Sequence, residues 1–146
     1  GQTCEFGTKR SVQVVSDQPA MVMGIIAGQE ATGLLNFGSR AGDPAIFLVP
    51  PDQQYRRDYT FLAPDTYFRD YVTVVTTPGN EIQLDGQLVS LNDALPVGGS
   101  NFVFKHVALT DGPHQMTARS PFGIVVYAYD DFVSYAFTGG LNLTKR

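Results

Sequence analysis

Pro121–Leu143, PFGIVVYAYDDFVSYAFTGGLNL, decides the fold. Phe122 to Tyr129 is β-branched and aromatic, with apolar residues at both alternating sets of positions, the pattern of a strand covered on both faces. Asp130-Asp131 interrupts it. From there Val133, Tyr135 and Phe137 are apolar whereas Ser134, Ala136 and Thr138 are small or polar, so the chain returns as a half-buried strand. Gly139-Gly140 ends it. A hairpin with this much apolar surface is not stable alone in water, so further strands must close over it.

Those strands can be read upstream. His114 to Arg119 leads back to a turn at Asp111-Gly112-Pro113. Before it, Phe102 to Leu109 places Phe102, Phe104 and His106 on one face and Val103, Lys105 and Val107 on the other, with His106 expected as a hydrogen-bonded core histidine. Pro96, Gly98 and Gly99 mark a loop. Asp85-Gly86, between Leu84 and Gln87, is the pair favoured by a type I′ hairpin turn, because both central residues need positive φ. Ala45 to Val49 reads as a short buried strand stopped by Pro50-Pro51. Further strands are expected at Ala20 to Ala27 and around Gln13, from Val12 to Val15, separated by Asp17-Gln18-Pro19. Between Gly28 and Pro44 lies a long loop with scattered Leu34, Leu35 and Phe37.

Composition agrees. The 146 residues include 15 Gly, 9 Pro, 7 Tyr and 10 Phe, and no stretch of ten keeps an uninterrupted helical spacing of apolar residues. The expected architecture is all-β: one domain over residues 1–146, an antiparallel β-sandwich of about ten strands, with a jelly-roll-like arrangement allowed.

A formal net charge of −4 argues against nucleic acid, whose binders concentrate Lys and Arg on one face. Ala20 to Gly28, the longest apolar run, is too short to cross a bilayer. The opening residues read like the middle of a strand, so the chain is expected to be a piece of a longer protein, with any targeting signal in the remainder. Cys4 is either a free thiol or half of a bridge to a partner elsewhere.

One motif repeats: Tyr55-Arg56-Arg57-Asp58-Tyr59 is echoed by Tyr67-Phe68-Arg69-Asp70-Tyr71, each leading into a strand. Its plain reading is tyrosine packing beside a partly exposed Arg–Asp pair. Its functional reading is a recognition patch, since Tyr and Arg offer amphipathic area and planar donors at low entropic cost. Candidate ligand-binding residues are therefore Tyr55, Arg56, Arg57, Asp58, Tyr67, Arg69 and Asp70, together with His114 after its turn.

Catalysis has little to stand on. There is no G-x-S-x-G elbow and no P-loop, Gly38-Ser39-Arg40 lacks nucleophile spacing, and His106 and His114 are the only imidazole bases. No cofactor is expected. Asp111, Asp130 and Asp131 are weak candidates for calcium, as turn carboxylates without the spaced loop of a calcium site. Lys105, the one mid-strand lysine, would be needed for an isopeptide cross-link.

Gly42-Asp43-Pro44, Pro50-Pro51 through Gln54-Tyr55 into Asp58-Tyr59-Thr60-Phe61, Tyr71-Val72, Leu84-Asp85-Gly86, Gly112 with His114, and above all the Pro-Phe-Gly, Val-Tyr, Ser-Tyr and Gly-Gly series of the C-terminal stretch resemble the IgGFc-binding protein N-terminal domain family. The resemblance covers nearly the whole chain and corresponds to the C-terminal half of the family unit. Ala128 stands where the family has glycine, and Phe137-Thr138 replaces Tyr-Pro. The resemblance implies a non-catalytic, secreted or cell-surface β domain of a larger protein, often with adhesive or mucus-associated roles. It transfers neither antibody binding nor any binding residue, because a fold family does not fix a ligand.

The expected function is thus an extracellular recognition or adhesion module for a protein or glycan. The alternatives are a structural spacer packed against the rest of a surface protein and, disfavoured, a carbohydrate-active or other hydrolytic enzyme.

Overall fold

A computed structural model describes residues 1–32 and 42–143. Its strands are β1 (Val22–Ile26), β2 (Ala45–Val49), β3 (Arg56–Ala63), β4 (Arg69–Thr76), β5 (Ile82–Leu84), β6 (Gln87–Leu88), β7 (Leu95–Pro96), β8 (Val103–Leu109), β9 (Gly112–Asp130) and β10 (Val133–Thr138). One helical turn, α1 (Gln29–Thr32), follows β1. The apolar residues Leu34, Leu35 and Phe37 and the Gly38-Ser39-Arg40 segment lie outside the described residues.

The fold is all-β and antiparallel, and β9 is its spine. This strand runs unbroken for 19 residues, so the two segments expected at His114–Arg119 and Phe122–Tyr129 are one. Its first half pairs with β3 (Tyr59 opposite Met116) and β5 (Ile82 opposite Ala118). Its second half pairs with β4 (Val72 opposite Val126) and β10 (Ala136 opposite Tyr127). Outside β4 come β8 and then β7, and outside β5 comes β6, giving one curled eight-stranded sheet. A separate two-stranded sheet, β1 with β2, lies beside β10.

Where β9 passes from one half to the other, its register against β3 jumps from Phe122 opposite Arg56 to Thr117 opposite Asp58. Such a bulge leaves main-chain groups without ladder partners, and buried ones must be satisfied another way. Two side chains do this. The Asn80 amide donates to the Ser120 carbonyl at 3.0 Å and accepts from the Ser120 N–H at 3.1 Å, and is itself steadied by Thr76 Oγ1 at 2.9 Å. From the β3 side, the Tyr59 hydroxyl donates to the Phe122 carbonyl and accepts from the Arg56 N–H at 2.9 Å.

Both halves face one core. Tyr59 and Phe61 of β3, Ile82 of β5 and Met116 of β9 meet Val72 and Val74 of β4 and Phe122, Ile124 and Val126 of β9. Full burial of each large aliphatic or aromatic side chain contributes roughly 1.5–3 kcal/mol.

Four expectations need correction, the first being that β2 is a strand but not a buried one, since Ile46 is 59% and Val49 37% exposed on a two-stranded sheet. Val12 to Val15 is not a strand: among the described residues none pairs with it, and Val15 is 82% exposed. Strand propensity without a ladder partner does not hold a strand. β9 is not covered equally on both faces, because Ile124, Val126 and Ala128 are buried while Val125, Tyr127 and Tyr129 are only partly so. His106 is not in the core but lies exposed on that same outer side, since β8 is an outer neighbour of β4.

Candidate functional site

With the inner positions of β4, β8 and β9 committed to the core, the alternate positions fall on the sheet's outer face. There the register aligns Arg69 with Tyr129, Tyr71 with Tyr127 and Ala108, and Thr73 with Val125 and His106. Instead of the charged residues common on a solvent face, the centre is aromatic. Tyr71 stacks on Tyr127 at 5.5 Å between centroids, and Tyr129 and His106 meet Tyr127 edge-on at 5.8 and 6.1 Å. Phe104 in turn meets His106 edge-on at 5.5 Å.

At the far end of the strip, Tyr55 lies over Gly123 and against Phe102, with ring centroids 6.0 Å apart. Only glycine fits beneath it, because a Cβ on Gly123 would fall 2.4 Å from Tyr55 Cε1. At the opposite end Arg69 stands over the Phe68 ring at 5.4 Å. Flanking residues are small: Ala108 on β8 and Ala136 on β10 leave the rings as the relief of the surface.

The strip is polar at its rim yet electrically quiet within. His106 Nδ1 lies 2.8 Å from Thr73 Oγ1 and 3.0 Å from the Tyr127 hydroxyl, both of which can rotate to donate to it. His106 is open to solvent on one side, but its ring is desolvated where it packs against Phe104 and Tyr127, which holds the imidazole below its ordinary value, so it is neutral near pH 7. Burial also pushes the Tyr127 hydroxyl up to about 12, with Tyr129 and Tyr71 adding to it.

The repeated motif is placed asymmetrically. Arg56 and Arg69 each open a strand, but Arg56 lies opposite Phe122 and Arg69 opposite Tyr129, so the two copies do not form one patch. In the first copy Arg56 pairs with Asp58 at 2.9 Å, both exposed, a contact worth about 0–1 kcal/mol, and Arg57 is exposed beside them. In the second, Arg69 and Asp70 point to opposite faces. Asp70 is 4% exposed and accepts from the Tyr135 hydroxyl, against whose ring Tyr67 packs edge-on at 4.7 Å. Burial raises the Asp70 carboxyl above its ordinary value. His114 is likewise internal, at 5% exposure.

Asp130 and Asp131 fall at the β9–β10 reversal, where Asp130 Oδ1 accepts from the Asp131 N–H at 2.6 Å. Among the described residues no three His, Cys, Asp or Glu side chains are grouped to hold a metal ion. Lys105 is held by the Ser90 carbonyl at 2.9 Å and the Asp93 carboxylate at 2.5 Å. Cys4 is exposed and unbridged. No helix among the described residues is long and apolar enough to cross a membrane.

Of the residues singled out in the sequence, Tyr55 and Arg69 lie at the two ends of this face, whereas Tyr127 and Tyr129 at its centre were not singled out. The available signal was the division of β9 into aliphatic Ile124, Val126 and Ala128 on one alternation and Tyr127 and Tyr129 on the other. Comparison with curated proteins and with solved structures finds no match. Residues 1–128 match the family model described as IgGFc binding protein, so this chain belongs to the IgGFc-binding family of binding domains.

Proposed function

We propose that the chain is an extracellular recognition module that engages a protein or glycan partner through the outer face of β4, β8 and β9. One observation carries this: a continuous run of Tyr, Phe, His and Arg side chains occupies a face that the core does not need. Tyr and Arg dominate binding hot spots because they present large, rigid, amphipathic area. Of the repeated motif, Arg69 and Tyr55 bound this strip and are its proposed contacts. Arg56, Arg57 and Asp58 form a second exposed group on β3, while Asp70 and His114 are buried and Tyr67 packs on Tyr135.

A spacer role is favoured by a different feature. Met23, Ile25 and Ile46 on the β1–β2 pair, and Met21 just before it, are each more than half exposed, an apolar surface of the kind a neighbouring domain covers.

A thermal-shift screen against antibody Fc, a glycan panel and calcium separates these readings. Recognition requires a shift with one ligand that is lost in Arg69→Ala or Tyr71→Ala without loss of fold. No shift with any ligand, together with strong binding of a hydrophobic dye to the folded chain, supports the spacer.

A further inference from the structure

His114 projects from β9 into the end of the core where the β5–β6 and β8–β9 turns converge. Its Nδ1 lies 2.7 Å from Asp85 Oδ2 and its Nε2 lies 2.7 Å from the Thr110 carbonyl oxygen. Asp85 is itself fixed. It takes φ 51° and Gly86 takes φ 79°, as the tight turn demands. Its Oδ1 accepts from the Gln115 N–H at 2.8 Å, and its own N–H donates to the Gln115 carbonyl at 2.8 Å.

A carbonyl oxygen only accepts, and so does an ionised carboxylate. A neutral imidazole has a single N–H, so one of these contacts would oppose two lone pairs at a buried site. Only the imidazolium donates to both. A carboxylate behind a histidine can also orient a catalytic base, but here the second nitrogen is spent on a main-chain carbonyl, which makes the arrangement a tie between two turns.

We propose that His114 is a protonation-dependent clamp: charged, it ties the β5–β6 turn to the β8–β9 turn across β9, and loss of its proton releases that end of the sheet.

Three neighbouring groups favour the charged form against its burial. Asp85 faces it from the β5–β6 turn, the Thr110 carbonyl from the β8–β9 turn, and Asp70 from β4 at longer range, with Asp111 and Tyr135 acting on Asp70. The Phe61 ring of β3 lies 5.6 Å away. Burial pulls the imidazole down, but the Thr110 carbonyl, Asp85 and Asp70 outweigh it and leave it above its ordinary value. The Gln115 N–H, then His114, hold the Asp85 carboxyl below its own ordinary value.

The sign follows. A histidine raised on folding stabilises fully below its unfolded value of 6.5, and that contribution is lost as pH rises through the folded value. An aspartate lowered on folding stabilises above its unfolded value of 3.8, and that contribution is lost as pH falls through the folded value. The clamp is therefore closed between the lowered Asp85 and the raised His114.

Side-chain nitrogen NMR of the histidine-labelled chain across pH tests this directly, with His106 as internal reference. The expected result is two transitions, His106 below the ordinary imidazole value and His114 above it, with hydrogen on both His114 nitrogens below its transition. Above that transition the amides of Asp85 and Gln115 should exchange faster than base catalysis alone requires. Asp85→Asn should move the His114 transition to lower pH, and His114→Gln should remove the extra exchange. A single N–H on His114 on the acid side, a His114 transition at or below that of His106, or no extra exchange at Asp85 and Gln115 overturns the clamp. The spectra of the unsubstituted chain decide even if His114→Gln does not fold.

Discussion

The Tyr59 hydroxyl donates a 2.5 Å hydrogen bond to the carbonyl oxygen of Phe122, 63 residues along the chain, while the two rings meet edge-on with centroids 5.0 Å apart. That carbonyl sits where β9 leaves β3, so the bond serves the bend of the strand on which both halves of the sheet depend. Tyr59→Phe keeps the ring and deletes only the hydroxyl, leaving the Phe122 carbonyl and the Arg56 N–H without it. A destabilisation of about 1–3 kcal/mol is expected by denaturant unfolding, from buried groups left unsatisfied. An unchanged midpoint would mean the bend does not depend on this bond.

Asn80 holds the same bend from the other side. Its amide joins Ser120 through two bonds and Thr76 through a third, spanning 40 residues to the bulge. Asn80→Ala removes all three and should cost about 1–3 kcal/mol, somewhat offset if water enters to bridge the freed groups. Because Tyr59 and Asn80 serve one bulge, the double variant should depart from additivity by about 0.5 kcal/mol or more. Strict additivity in a double-mutant cycle would show that the two clamps act separately.

This bend could not be read from the sequence. Asn80 and Tyr59 act over long separations on a break in pairing that exists only once β3, β5 and β9 are assembled. The β5–β6 turn was legible for the opposite reason, since Asp85-Gly86 carries its own backbone requirement and takes positive φ at both residues. The repeated Tyr-Arg-Asp motif was visible, yet its two copies diverge: β3 opens at the second residue of its copy and β4 at the third of its own. Asp58 consequently faces solvent whereas Asp70 faces the core. Strand parity, set by neighbouring strands, overrode the similarity of sequence. The aromatic face was half legible, because Tyr and Ile both count as apolar until partner strands decide which alternation is covered.

The seat of Tyr55 on Gly123 supplies a steric test. A Cβ at position 123 would lie 2.4 Å from Tyr55 Cε1 and 2.5 Å from its Cζ, both near the far end of the side chain. Gly123→Ala must therefore displace the ring, at a cost of about 1–3 kcal/mol for overpacking. Tyr55→Ala in the same chain removes the obstruction, so the double variant should be more stable than the sum of the single effects predicts. If the second substitution gives no rescue, Tyr55 is not what the new methyl group meets.

Burial controls the charge state of the aromatic face. Burial, then Asp52 and Tyr59, raise the Tyr55 hydroxyl to about 12, and burial with Tyr129 and Tyr71 raises Tyr127 to about 12 against the opposing hydrogen bond of Thr73. A group raised on folding contributes stability that is complete below its unfolded value, here 10.0, and lost as pH rises through the folded value. Phenolate absorbance should thus rise in two stages, the later one containing Tyr55 and Tyr127 and accompanied by unfolding between these limits. Tyr127→Phe should reduce the later stage alone. At neutral pH Tyr55, Tyr127 and Tyr129, all raised by burial, remain uncharged, so any pH dependence of the proposed binding near neutrality would come from His106 or from the ligand, and His106→Gln distinguishes the two. A single early stage containing Tyr127 would show that its hydroxyl is exposed rather than packed between Tyr71, Tyr129 and His106.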